Sequence, residues 1–176
     1  MKSFHFISQL DAMDCGPTCL LMISKFYGKS FDLHDLRQRA SINKLGTNLL
    51  GLSEAADSLG FKATGVKVTE NQLIEDVPLP CILHWKQNHF VVCYDIKKKR
   101  NGSVTFLIAD PATGFVKYDK NEIRNNWLST GNSNENEDKG VVLINQQTNV
   151  LFYIAEEKQD KKNKIIPFIN YLKPYR

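Results

Sequence analysis

Apolar and polar positions alternate with two different periods along this chain, and the change divides it. From Gln9 to Gly28 the chain opens polar, crosses Cys15-Gly16-Pro17 and then becomes apolar with a helical rhythm. Leu20, Leu21, Ile23, Phe26 and Tyr27 share a wide apolar face, and Gly28 is a natural stop. Asp32 can cap a second helix, DLHDLRQRA, with Leu33, Leu36 and Ala40 on one side and His34 towards solvent. SINKLGTN reads as a loop. Asn48 to Leu59 predicts a third helix, facing inward with Leu49, Leu52, Ala55, Ala56 and Leu59 and closed by Gly60. Phe61 to Val68 reads as a strand, and Thr69 with Gln72 forms a capping box for a short helix ending near Asp76.

Beyond Pro78 and Pro80 the period becomes extended. CILHW, NHFVVCYDI, SVTFLIA, FVKYD and VVLINQ predict strands, with KKKRNG and DPATG as turns. KNEIRNNWL predicts one more short helix. STGNSNENEDKG, residues 129–140, has no apolar anchor and is expected to be mobile. Helices first and an antiparallel meander afterwards make an α+β arrangement.

The central hairpin carries chemistry. If residues 97–102 are its turn, His89 on one strand lies directly opposite Asp110 on the next, and directly opposed residues share a face. A slip of one residue would put them on opposite faces. Cys15, with Pro17 in the first helical turn, sits at a helix N-terminus, where free N–H groups and the helix dipole favour a thiolate. A cysteine nucleophile needs a base, a group that orients the base, and oxyanion donors. With Cys15 as that nucleophile, His89 and Asp110 supply the first two, and the Cys15 N–H with the Gln9 side chain the last. The plain alternative is that Cys15 is a small buried residue starting a core helix.

Other residues compete. His84, five positions before His89, is the rival base. The odd separation puts it on the other side of a continuous strand, unless a turn at Lys86-Gln87 resets the alternation. Cys19 reads as core, with a resolving thiol or a metal partner as alternatives. Cys81 and Cys93 lie in apolar strands and read as core. Asp14 reads as a helix cap. No CxxC or HxxxH spacing is present to suggest zinc.

Composition narrows the classes. The 176 residues are 42% hydrophobic and 24% charged, with a formal net charge of +4. Most of that excess lies after residue 155, where Lys158, Lys161, Lys162, Lys164, Lys173 and Arg176 outnumber Glu156, Glu157 and Asp160. The body is nearly neutral, which argues against a nucleic-acid surface. The N-terminus does not read as a secretory signal, and no run approaches the roughly 20 apolar residues that span a bilayer. The expectation is a soluble chain with free thiols in a reducing compartment.

QLDAMDCGPTCLLMISKFYG, GTNLLGLSEAADSLGF, PLPCILHWKQNHFVV and IADPATG, in this order, closely resemble the cysteine peptidase domain of peptidase-containing ABC transporters, the bacteriocin-processing, double-glycine leader peptidases. The resemblance runs from about Phe6 to Ile144. It implies a papain-like fold, with Cys15 as nucleophile, His89 as general base, Asp110 as orienting acid and Gln9 in the oxyanion hole. Degenerate relatives lack the nucleophile, whereas this chain retains it. The resemblance also implies cleavage of a leader peptide after a Gly-Gly or Gly-Ala pair, coupled to export. It places residues 1–150 as the peptidase domain and 151–176 as the linker to an exporter's transmembrane domain. It implies no cofactor for the peptidase, with ATP and magnesium belonging to a separate nucleotide-binding domain. The implied setting is the cytoplasmic side of the bacterial inner membrane, in a homodimeric exporter. Two rival readings are a non-catalytic docking module for cargo and a Cys-His-Asp acyltransferase or related hydrolase on a similar scaffold.

Overall fold

The computed structural model describes residues 3–40, 46–129 and 138–148. The expected linker 151–176, with its basic tail, lies outside the described residues, as do residues 41–45 of the expected loop and 130–137 of the expected mobile stretch.

Three helices come first: α1 (Cys15–Phe26), α2 (Leu33–Arg39) and α3 (Leu49–Ser58). Strand β1 (Phe61–Val68) and helix α4 (Glu70–Glu75) follow. Next come β2 (Cys81–Trp85), β3 (His89–Lys98), β4 (Val104–Asp110) and β5 (Gly114–Tyr118). Helix α5 (Lys120–Trp127), β6 (Leu128–Ser129) and β7 (Lys139–Gln147) complete the described part. The caps predicted for α2 and α4 form. Asp32 accepts from the His34 N–H at 2.7 Å, and Thr69 and Gln72 exchange both bonds of their capping box. Among the described residues no helix is long and apolar enough to cross a membrane.

The strands form one antiparallel sheet in the order β1-β7-β2-β3-β4-β5, with β6 also on β7. It is therefore not a simple meander, because the last strand inserts between β1 and β2. The reason lies in its sequence. Val142 and Leu143 are both fully buried, one on each face, so β7 needs cover on both sides. One face of the sheet packs on α1, α2 and α3 through Phe61, Ile82, Phe90, Val92 and Leu143. The other face carries Cys81, Leu83, Val91, Cys93, Phe106 and Ile108 against Leu73 of α4 and Ile123 and Trp127 of α5.

The β3–β4 hairpin departs from its expected register. Strand β3 continues through Lys97 and Lys98, which pair with Thr105 and Val104, and the chain turns at Asn101-Gly102. Half-buried to exposed strand positions tolerate lysine, so a charge run did not mark the turn's start. A bulge falls between Cys93 and Asp95, and beyond it Val92 pairs with Ala109. Continued one step, Asp110 faces Val91, not His89. The slip from the expected register is two residues here. An even slip preserves alternation, so His89 and Asp110 become diagonal neighbours.

Gly140 is tightly confined where β7 meets β6. A Cβ there would overlap the Trp127 indole, which is 2% exposed and donates from Nε1 to the Val141 carbonyl at 3.0 Å. Gly140→Ala is expected to destabilise the fold by about 1–3 kcal/mol through overpacking. Urea denaturation followed by tryptophan fluorescence measures this; an unchanged midpoint would show that the indole can move aside.

Candidate active site

The start of α1, the start of β3 and the end of β4 meet at one end of the sheet. Asp11 begins the approach. Its carboxylate accepts the Met13 N–H at 3.0 Å, and its own N–H donates to Asp14 at 3.0 Å, closing a box around the turn Ala12–Asp14. The chain enters α1 directly from this turn. Cys15 is its first residue and is 7% exposed. Gly16 leaves no room for a side chain, since a Cβ would overlap Thr47 and touch Phe90 at 3.4 Å. The start of α1 is therefore closed on by Thr47 and touches Phe90 of β3 beside the cysteine.

Asp14 differs from expectation. It occupies the cap position but makes no capping hydrogen bond to α1. Its backbone is already helical, continuing the preceding turn, so the side chain points back to Asp11 and outward to α2. There Arg37 grips it with a two-pronged fork: Nε donates to one carboxylate oxygen at 2.6 Å and Nη2 to the other. The Asp14 side chain is 2% exposed. Arg37 was not apparent from the sequence, because no local pattern marks a partner 23 residues away.

His89 opens β3, and its Nε2 lies 2.8 Å from Asp110 Oδ1. The same carboxylate oxygen accepts the Ala112 N–H at 2.9 Å, so the turn after β4 fixes the carboxylate. Burial alone would lower the His89 pKa. Hydrogen bonds to Asp110 and Cys15, and the charges of both, outweigh it and raise the pKa from 6.5 to about 9. Burial would raise the Asp110 pKa, but the His89 and Ala112 hydrogen bonds prevail and hold it below its ordinary value. With Nε2 committed to Asp110, Nδ1 is the ring nitrogen left for the cysteine.

Gln9 is brought to the same end by its backbone. Its N–H donates to the Pro111 carbonyl at 2.9 Å, one residue past Asp110. Its side-chain oxygen is buried without a partner in the protein.

The rival residues take other partners. His84 stacks on Phe90 with centroids 5.0 Å apart, and burial lowers its pKa. Lys86 and Gln87 take positive φ angles of 47° and 62°, making the turn that separates it from His89. Cys19 is fully buried and donates its thiol to the Phe90 carbonyl at 3.3 Å. Burial, followed by the charges of Cys15 and Asp110, pushes its pKa well up. Cys81 and Cys93 are directly paired across β2 and β3, both fully buried. Among the described residues no group of three or more His, Cys, Asp or Glu side chains could hold a metal ion.

Residues 3–133 match the Peptidase C39 family. Among curated proteins, the chain is 35% identical over 108 residues to the probable microcin-H47 secretion/processing ATP-binding protein MchF of Escherichia coli. That match covers 61% of this chain and 15% of the relative, so the chain spans a small part of such proteins. A solved double glycine motif protease from an AMS/PCAT transporter, in complex with its leader peptide, is 31% identical with a TM-score of 0.71. That alignment covers 84% of this chain and 94% of the protease. The peptidase domain of Streptococcus ComA, from a bi-functional ABC transporter, aligns at 25% identity with a TM-score of 0.67, covering 83% of this chain and 100% of that domain. The α+β arrangement is thus the papain-like fold of these domains.

His89 gains protons on folding, so it stabilises the fold fully below about 6.5, and this contribution is lost as pH rises through about 9. Asp110 has the opposite sign: its contribution is present at neutral pH and is lost as acid protonates it. In an NMR titration the His89 ring should show a midpoint near 9. Asp110→Asn should lower it by roughly one unit or more. Equal midpoints in both proteins would remove Asp110 as the cause.

Proposed function

Because the chain belongs to the peptidase C39 family, we infer that it is a cysteine endopeptidase whose nucleophile is the Cys15 sulfur. The observation that carries this reading is the 2.8 Å contact of His89 Nε2 with Asp110. It orients the imidazole, and the nearby Cys15 helps to raise the pKa of the ring.

The steps follow from these positions. The Cys15 proton passes to His89 and the sulfur attacks the scissile carbonyl. The developing oxyanion accepts from the Cys15 backbone N–H, at the positive end of α1, and from the Gln9 side-chain amide. Collapse of the adduct breaks the C–N bond, and the His89 imidazolium protonates the departing amine. Asp110 stabilises that imidazolium and holds the ring's orientation. A thioester remains on Cys15. Water, deprotonated by His89, attacks it and releases the acid and the free thiol. No metal or organic cofactor is needed for any step.

The substrate we propose is the leader of a secreted peptide precursor, such as a bacteriocin, cut after a Gly-Gly type pair. Support comes from the 31% identity to the double glycine motif protease bound to its leader peptide, across nearly all of that domain. In the same reading, residues 1–150 form the cytoplasmic peptidase domain of a membrane exporter and 151–176 the linker. ATP and magnesium serve the exporter's nucleotide-binding domain. Curated relatives named for both secretion and processing support that setting. The homodimeric exporter is carried only by the family resemblance.

Mass spectrometry of a Gly-Gly leader precursor, incubated under reducing conditions with wild type and Cys15→Ala, tests the reading. Wild type should release the leader with a free C-terminal acid, with or without EDTA, and Cys15→Ala should not. Binding without cleavage by wild type would make the domain a docking module. Gln9→Ala should lower turnover roughly 100-fold; a change under about threefold in steady-state kinetics would remove Gln9 from the oxyanion hole.

A further inference from the structure

The peptide-cleaving steps leave unused a buried charged pair that lies next to Cys15. Asp14 immediately precedes Cys15, and its carboxylate is almost wholly shielded from water. A buried carboxylate survives only if it is paired and hydrogen-bonded. Arg37 provides the pairing through its fork, and the Asp11 N–H provides a further bond. Arg37 sits on α2, a separate element, with a side chain 34% exposed.

The location makes this pair more than a clamp between helices. The sulfur of Cys15 must carry negative charge to attack. A bare carboxylate on the preceding residue would oppose that charge, and low-dielectric surroundings would amplify the opposition. The guanidinium cancels it. Its charge is permanent over the working pH range, unlike that of His89. The other charged groups near the start of α1 are His89 and Asp110 from the strand ends and Asp11 from the preceding turn. His89 is already committed to Asp110. Among the described residues only Arg37 is hydrogen-bonded to the Asp14 carboxylate as a cation.

We propose that Asp14 and Arg37 are positioning residues for the Cys15 sulfur: the Asp14 carboxylate ties the first turn of α1 to α2, and Arg37 removes the repulsion that this carboxylate would exert on the attacking sulfur. The inference rests on the reading of Cys15 as nucleophile.

The test compares Arg37→Gln, Arg37→Lys and the double variant Asp14→Asn/Arg37→Gln with wild type. Alkylation of Cys15 by iodoacetamide at pH 7, mapped by mass spectrometry, reads the sulfur without any substrate. Arg37→Gln should slow it about 10-fold, since one uncompensated neighbouring charge is worth about that much. On a Gly-Gly leader peptide kcat should fall with it while KM stays within about twofold. The double variant removes both charges and should recover alkylation to within about threefold of wild type, even if its Tm stays low. A merely structural pair would give no such recovery. Equal alkylation in folded Arg37→Gln and wild type, or a double variant as slow as Arg37→Gln, overturns the proposal. If Arg37→Gln does not fold, Arg37→Lys decides: it keeps the charge and should alkylate within about threefold of wild type, and a folded variant slowed 10-fold or more overturns the proposal. Normal alkylation of wild type without peptide cleavage would defeat the peptidase reading and leave this one standing.

Discussion

Helix α1 has no exposed face over most of its length: every residue from Cys15 to Ser24 is buried. A helix buried on all sides must be enclosed by other elements, and the rest of the fold supplies that enclosure. The sheet lies along one side through Phe90 and Val92, while α2 and α3 cover the others. Gly16 lets Thr47 close on the helix start, and the Cys19 thiol bonds the Phe90 carbonyl of β3 one helical turn further on. Phe90 is the residue after His89. The packing that buries α1 therefore also sets the distance between its first residue and the imidazole.

Two carboxylates are buried at this end of the molecule, Asp14 and Asp110, and each is neutralised differently. Asp14 has a guanidinium, which never gives up its proton under working conditions. Asp110 has an imidazole, which can. The first pair is electrically inert and holds the helix start. The second is a proton carrier whose charged form is favoured up to about pH 9. Placing the permanent cation behind the cysteine and the titratable one in front of it separates support from chemistry. The turn after β4 joins the two sides, because Pro111 holds the Gln9 backbone while Ala112 holds the Asp110 carboxylate.

The helices, the caps of α2 and α4 and the strands were legible because each rests on local chemistry. Period, cap residue and turn residue lie within a few positions of one another, as with Asp32 and His34 or Thr69 and Gln72. The Cys15, His89, Asp110 and Gln9 group was also legible as a set of residue types, and the family motifs carried the same residues. The His89–Asp110 proximity came from a direct pairing that does not occur. The contact survives because the true register differs by an even number of residues, which leaves both side chains on one face.

What the sequence determined by itself is therefore local: where helices start and stop, which strands are apolar on both faces, and which reactive side chains are available. Tertiary structure alone decided the insertion of β7 between β1 and β2, the bulge that sets the β3–β4 register, and the turn of Asp14 from a cap into the partner of Arg37. Each of those depends on a partner distant in sequence. Burial then makes the choice, because an apolar strand must be covered on both faces and a buried carboxylate must find a cation wherever in the chain one is brought close.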